Sequence, residues 1–182
     1  DEQEIKLIEG MKNNGISNKV AREIWNWILP FAQYGFNRSH SVPYAMIAYQ
    51  TAWLKTHYPV EFMASLLTSE KHDMEKIAFF IDECKKMKID VLPPDINESL
   101  TNFTVVPEQN KIRFGLSAIK NVGANVVKAI TDERKANGPF PSLDDFLSRI
   151  NSKDMNKKSL ESLAKAGVFD SIVERNQILS NL

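Results

Sequence analysis

The 182-residue chain is predicted to be mainly α, with a small β-hairpin near its middle and a repeated pair of short helices after it. Three observations carry that prediction. Apolar residues recur at intervals of three and four through most of the first 87 positions. The texture changes at IDVLPPDINES, where Pro93-Pro94 cannot continue a helix. The stretches GLSAIKNVGANVVKAI and LESLAKAGVFDSIVE then follow the same plan of helix, glycine turn and helix.

Residues 2–13 place Ile5, Ile8 and Met11 among charges, a weak amphipathic helix that stops at Asn13-Asn14-Gly15. Ser17 is the expected N-cap of a second helix presenting Val20, Ile24, Trp27 and Ile28. From Val42 to His57 the pattern is helical and unusually apolar, which predicts a largely buried helix, with Ser41 as its N-cap and Pro43 in its first turn. Tyr58-Pro59 breaks it, and two further helices follow, the second with Ile77, Phe80, Ile81 and Cys84 on one stripe. Val91 and Leu92 are expected to be extended. Two strands, 103–106 and 111–114, are expected around a turn at 107–110. Ser142 and Asp170 are expected N-caps in the last part, and Phe169 a core residue.

The net charge is zero, which removes any whole-molecule basic signature. The two parts differ, however. Residues 1–110 hold 11 Lys/Arg against 15 Asp/Glu, and residues 111–182 hold 12 against 8. A basic second part suits an anionic partner, and surface solvation alone accounts for it equally well. Cys84 is the only cysteine, in keeping with a reducing cytoplasm, and three scattered histidines have no ligand spacing, so no metal is assigned. No apolar run approaches bilayer length and no signal peptide is read, so no membrane partner is expected. The chain opens on Asp1, as an excised piece of a longer protein would.

Two constellations point to phosphate. In GFNRSHSVPYA, Arg38, Ser39 and His40 stand at a helix start, where free N–H groups and the dipole favour an anion. The plain alternative is that Arg38 pairs with a nearby acid and His40 fills a polar corner. In GLSAIKNVGANVVKAI, Asn121-Val122-Gly123 takes the place of the Gly-hydrophobic-Gly turn of a helix-hairpin-helix motif. Such a motif grips duplex phosphates through backbone N–H groups without reading bases. Asn121 tolerates positive φ, Val122 plugs the gap between helices, and Lys120, Asn125 and Lys128 lie where they could reach neighbouring phosphates. The second stretch fits the plan less well and reads as more structural, though Lys157, Lys158 and Lys165 are further candidates. No P-loop, nucleophile pair or converging carboxylates occur, so this chain alone is expected to catalyse nothing.

From FAQYGFNRSHSVPYAMIAYQTAWLKTHYPVEFMASLLTSE through IDECKKMKIDVLPPDINES, IRFGLSAIKNVG and FPSLDDFLSRI to NKKSLESLAKAGVFD, the chain closely resembles the C-family of bacterial replicative DNA polymerases, the DNA polymerase III alpha subunits. The resemblance implies the later part of a fingers domain over 1–110 and a tandem helix-hairpin-helix region over 111–182. It implies that Asn37, Arg38, Ser39 and His40 face the triphosphate of an incoming dNTP. It also implies that Lys120, Asn121, Val122, Gly123, Ala124, Asn125 and Lys128 meet duplex primer-template DNA. Mg²⁺ would be bound by a palm outside these residues, which themselves hold no cofactor. The remaining partners implied are the rest of the alpha subunit and the replicase holoenzyme. The sequence departs from the family pattern at Val42, Pro43 and Asn121. A freestanding helix-hairpin-helix DNA-binding module, and a helical scaffold without DNA affinity, are the alternatives.

Overall fold

A computed structural model describes residues 2–34, 38–150 and 155–181. The chain divides between Ala52 and Trp53 into two compact units.

In the first unit, α1 (Glu2–Asn13) packs on α2 (Asn18–Tyr34). The α1 stop is the expected one. Gly15 has φ +81°, and the Ile16 and Gly15 N–H groups donate to the carbonyls of Met11 and Lys12. Ser17 Oγ accepts from the Val20 N–H at 3.4 Å, the N-cap read from sequence. The next helix, α3 (Arg38–His57), starts four residues earlier than the Ser41–Pro43 signal indicated. Ser41 therefore lies inside the helix and is not its N-cap, and Pro43 sits in the second turn. Nor is α3 largely buried: Val42 is 61% exposed and Tyr49 70%, with Tyr44, Met46 and Ile47 also exposed. Its apolar residues encircle the helix, so packing along one side cannot cover them.

The second unit is built on two apolar clusters. The first joins α4 (Pro59–Ser69), α5 (Met74–Lys86) and a small sheet through Met63, Leu67, Ile77, Cys84, Ile89 and Ile112. Asp73 caps α5 by accepting from the N–H groups of Glu75 and Lys76, both at 3.1 Å. Burial pushes the Cys84 thiol up to about 11, as suits an inert core cysteine. The expected hairpin forms as β2 (Thr104–Val106) and β3 (Lys111–Arg113), with Val105 opposite Ile112. Its turn uses left-handed Glu108 and Asn110. A third strand, β1 (Asp90–Leu92), pairs parallel to β3, giving the order β1-β3-β2. Sequence reading expected Val91 and Leu92 to be extended but not this pairing. A lone hairpin is marginal in water, and the third strand and the helices beneath it supply what it lacks.

The second cluster holds the tandem unit together. It gathers Leu116, Ile119, Val122, Val126 and Ile130 with Phe140, Phe146, Leu163, Val168 and Phe169. These come from the 3₁₀ turn Leu116–Ala118 and the hairpin after it, α6 (Ala124–Asn137), the α6–α7 connection, α7 (Leu143–Arg149), α8 (Lys157–Lys165) and the turn beyond it. Phe140, Phe146 and Phe169 stack edge to face at centroid distances of 5.1 and 5.0 Å. Ser142 caps α7, as expected. Arg134 clips the preceding connection to the unit by donating to the carbonyls of Ile96 and Ser99 at 2.7 and 2.8 Å. Gly115 is required where it stands, because a Cβ there would lie 2.7 Å from the Phe103 nitrogen.

Candidate nucleic-acid interface

The hairpin differs from the expected one on its entry side. What sequence periodicity read as a first helix is only the 3₁₀ turn Leu116–Ala118, after which Ile119 is extended. The apolar residues Leu116 and Ile119 are spaced for either state, and periodicity cannot separate them over so short a run. Asn121 then adopts φ +65°, the left-handed conformation that the motif's first glycine supplies elsewhere. Two serines of α8 brace it. Ser159 Oγ donates to the Asn121 carbonyl at 2.8 Å, and Asn121 Nδ2 donates to Ser162 Oγ at 3.2 Å. Ser159 is itself buried. Sequence reasoning missed both serines, because they come from a helix 38 or more positions away and carry no local signal.

Val122 is buried among the helices, as the plug reading requires. Gly123 is the N-cap residue of α6, with no side chain to occupy the first-turn N–H groups. Gly123, Ala124 and Asn125 are exposed, and a Cβ built on Gly123 would meet nothing within 4 Å. An open, uncapped N-terminus of a 14-residue helix therefore faces solvent beside exposed Lys120. Lys128 is exposed one turn further on, but it pairs with Asp132, which raises its pKa through the hydrogen bond they share. It is the weaker phosphate candidate of the two lysines.

The second turn is closed. Gly167 has φ +81°, Val168 and Phe169 are fully buried, and the Val168 carbonyl accepts from the Ile96 N–H at 2.8 Å. Asp170 pairs with Arg175 and is not the N-cap expected for it, because α9 begins only at Arg175. Lys165 pairs with Glu161 at 2.6 Å.

At the other constellation, Asn37 and the Arg38 side chain lie outside the described residues. Ser39 and His40 are exposed on the first turn of α3, and the His40 ring lies 4.5 Å from that of Tyr44. Among the described residues no group of three or more His, Cys, Asp or Glu could hold a metal ion, and no helix is long and apolar enough to cross a membrane.

Residues 88–178 match the helix-hairpin-helix motif family. Along 97% of its length the chain is 46% identical to the DNA polymerase III subunit alpha of Thermus aquaticus and 47% identical to that of Deinococcus radiodurans. Along 90% of its length it is 48% identical to the subunit of Mycobacterium tuberculosis. The chain spans only 13–14% of the length of these curated relatives.

Proposed function

The chain belongs to the helix-hairpin-helix motif family, and from that premise we propose that it is the part of a replicative polymerase alpha subunit that holds duplex DNA behind the site of synthesis. The observation that carries this reading is the open α6 N-terminus beside a plugged hairpin. Backbone N–H groups from 123–125 and the Lys120 ammonium take phosphates, giving affinity without base preference. Residues 1–110 serve as the later fingers and 111–182 as the duplex-binding part. Arg38 and His40, with Asn37 and Ser39, steady the triphosphate of an incoming dNTP and offset charge on the leaving pyrophosphate. Mg²⁺, held by palm carboxylates outside this chain, supplies the charge stabilisation that nucleotidyl transfer needs. The exposed, encircling apolar surface of α3 suits a helix enclosed by the rest of such a subunit.

Fluorescence anisotropy of this chain with a labelled random-sequence duplex, at about 50 and 200 mM salt, tests the reading. Affinity is expected to fall steeply with salt, because each neutralised phosphate releases counterion. Absence of binding at the lower salt would overturn the DNA-holding role for this chain. In the same preparation, primer extension is expected to be nil.

A further inference from the structure

The α4–α5 turn lies outside the segment that matches the helix-hairpin-helix family, yet it shares a surface with the hairpin. A cleft of about 540 Å³ is lined by Lys71, His72 and Met74 on one side and by residues 117–123 on the other. The acids nearest Lys71 and His72 in sequence are already engaged. Asp73 accepts from the first N–H groups of α5, and Glu70 pairs with Lys76 at 2.9 Å. Lys71 donates to the neutral Asn102 Oδ1 at 3.2 Å, and neither it nor Lys120 forms an ion pair with any described residue.

The two walls are also fixed relative to one another. Leu67 and Ile77, on either side of the turn, pack in one core with Phe103 and Ala118, and the carbonyls of Leu100 and Thr101 accept from the N–H groups of Leu116 and Ser117 at 2.9 and 3.0 Å. Ser117 Oγ donates to the Thr101 carbonyl as well, at 2.6 Å. The α4–α5 turn therefore stands at a set place beside the hairpin.

We propose that Lys71 and His72 form the second wall of a phosphate track whose first wall is the hairpin, so that one strand of duplex DNA runs along the cleft between them. This rests on the duplex-binding reading of the hairpin and extends it to a residue pair outside the family segment. Lys71 supplies a point charge and His72 a ring N–H donor, and neither addresses a base edge.

The test is the salt dependence of duplex binding by the whole chain, compared with the double variant Lys71→Gln/His72→Gln. The slope of log K against log salt is expected to flatten by about 1 in the variant, since the Lys71 phosphate contact contributes about 0.9. Between 50 and 200 mM salt the variant then loses roughly threefold less affinity per contact removed. Lys71→Arg is expected to keep the slope contribution of Lys71, and Asn102→Ala, which removes the hydrogen-bond partner but no charge, to leave the slope unaltered. If the unaltered chain binds and the double variant keeps its full slope, the second wall is overturned while the hairpin reading stands. If Asn102→Ala flattens the slope as much as the double variant, the turn acts by position and not by contact, and the proposal again fails. If the unaltered chain does not bind duplex at all, both readings fall together.

Discussion

The two hairpins of the tandem unit share a plan and put it to opposite uses. At Asn121-Val122-Gly123 a single side chain, Val122, is buried, while the backbone on either side of it is exposed. At Gly167-Val168-Phe169 both apolar residues are fully buried, Asp170 and Arg175 close over the glycine, and the next helix begins only after five more residues. A helix-hairpin-helix turn can thus spend its apolar residues on seating the loop or its backbone on a ligand. The first turn keeps the N–H groups of Gly123, Ala124 and Asn125 available, while that of Val122 donates to the Ile119 carbonyl, and the second builds the core that holds the first in place.

Phe169→Ala puts the largest strain on that division. Phe169 fills the centre of the tandem core against Phe146, and truncation of such a ring costs about 3–5 kcal/mol. Denaturant unfolding should show a loss of that size. The second turn's structural role is refuted if the variant unfolds like the unaltered chain.

The sharper comparison sets two glycine-to-alanine changes side by side. Gly167→Ala must adopt φ +81° and push its Cβ against the Arg175 and Asp170 side chains. A loss of about 1–3 kcal/mol in stability is expected. Gly123→Ala has ordinary φ and open space around the new methyl, so only alanine's weaker N-cap preference counts and stability should fall by no more than about 0.5–1 kcal/mol. That methyl would nonetheless stand where a phosphate must approach the backbone, and duplex affinity should fall about tenfold, or about 1.4 kcal/mol. Melting curves and anisotropy on both variants separate the two effects. Equal losses of stability would erase the contrast between the hairpins.

Apart from the 3₁₀ turn at 116–118, which periodicity read as a helix, the sequence made the helices, the β2–β3 turn, the Ser17 and Ser142 caps and the buried Val122 and Phe169 legible, because each rests on a local signal. Periodicity, turn residues and capping residues act within a few positions. What it left unread depends on partners distant in the chain. β1 pairs with a strand about 20 positions on, Ser159 and Ser162 brace a turn in another hairpin, and Lys71 meets the hairpin across a cleft. The start of α3 was misplaced for a different reason. Ser41 and Pro43 form a sound local start signal, and the helix runs through it from Arg38.

The smallest effect bears on why Asn121 can replace a glycine. Its left-handed φ carries a cost of order 1 kcal/mol for a residue with a Cβ. The hydrogen bonds from Ser159 and to Ser162 return a comparable amount, since each neutral hydrogen bond contributes about 1 kcal/mol net. Ser159→Ala should therefore destabilise by about 1 kcal/mol. Its effect should depend on Asn121: in an Asn121→Gly background the turn no longer needs bracing to hold its conformation, and the Ser159→Ala loss in duplex affinity should shrink. A double-mutant cycle in anisotropy measures that coupling. Coupling that vanishes would mean that α8 supports the core but leaves the first turn to set its own shape. Coupling of a few tenths of a kcal/mol or more would make the closed hairpin's helix a positioning element for the open one.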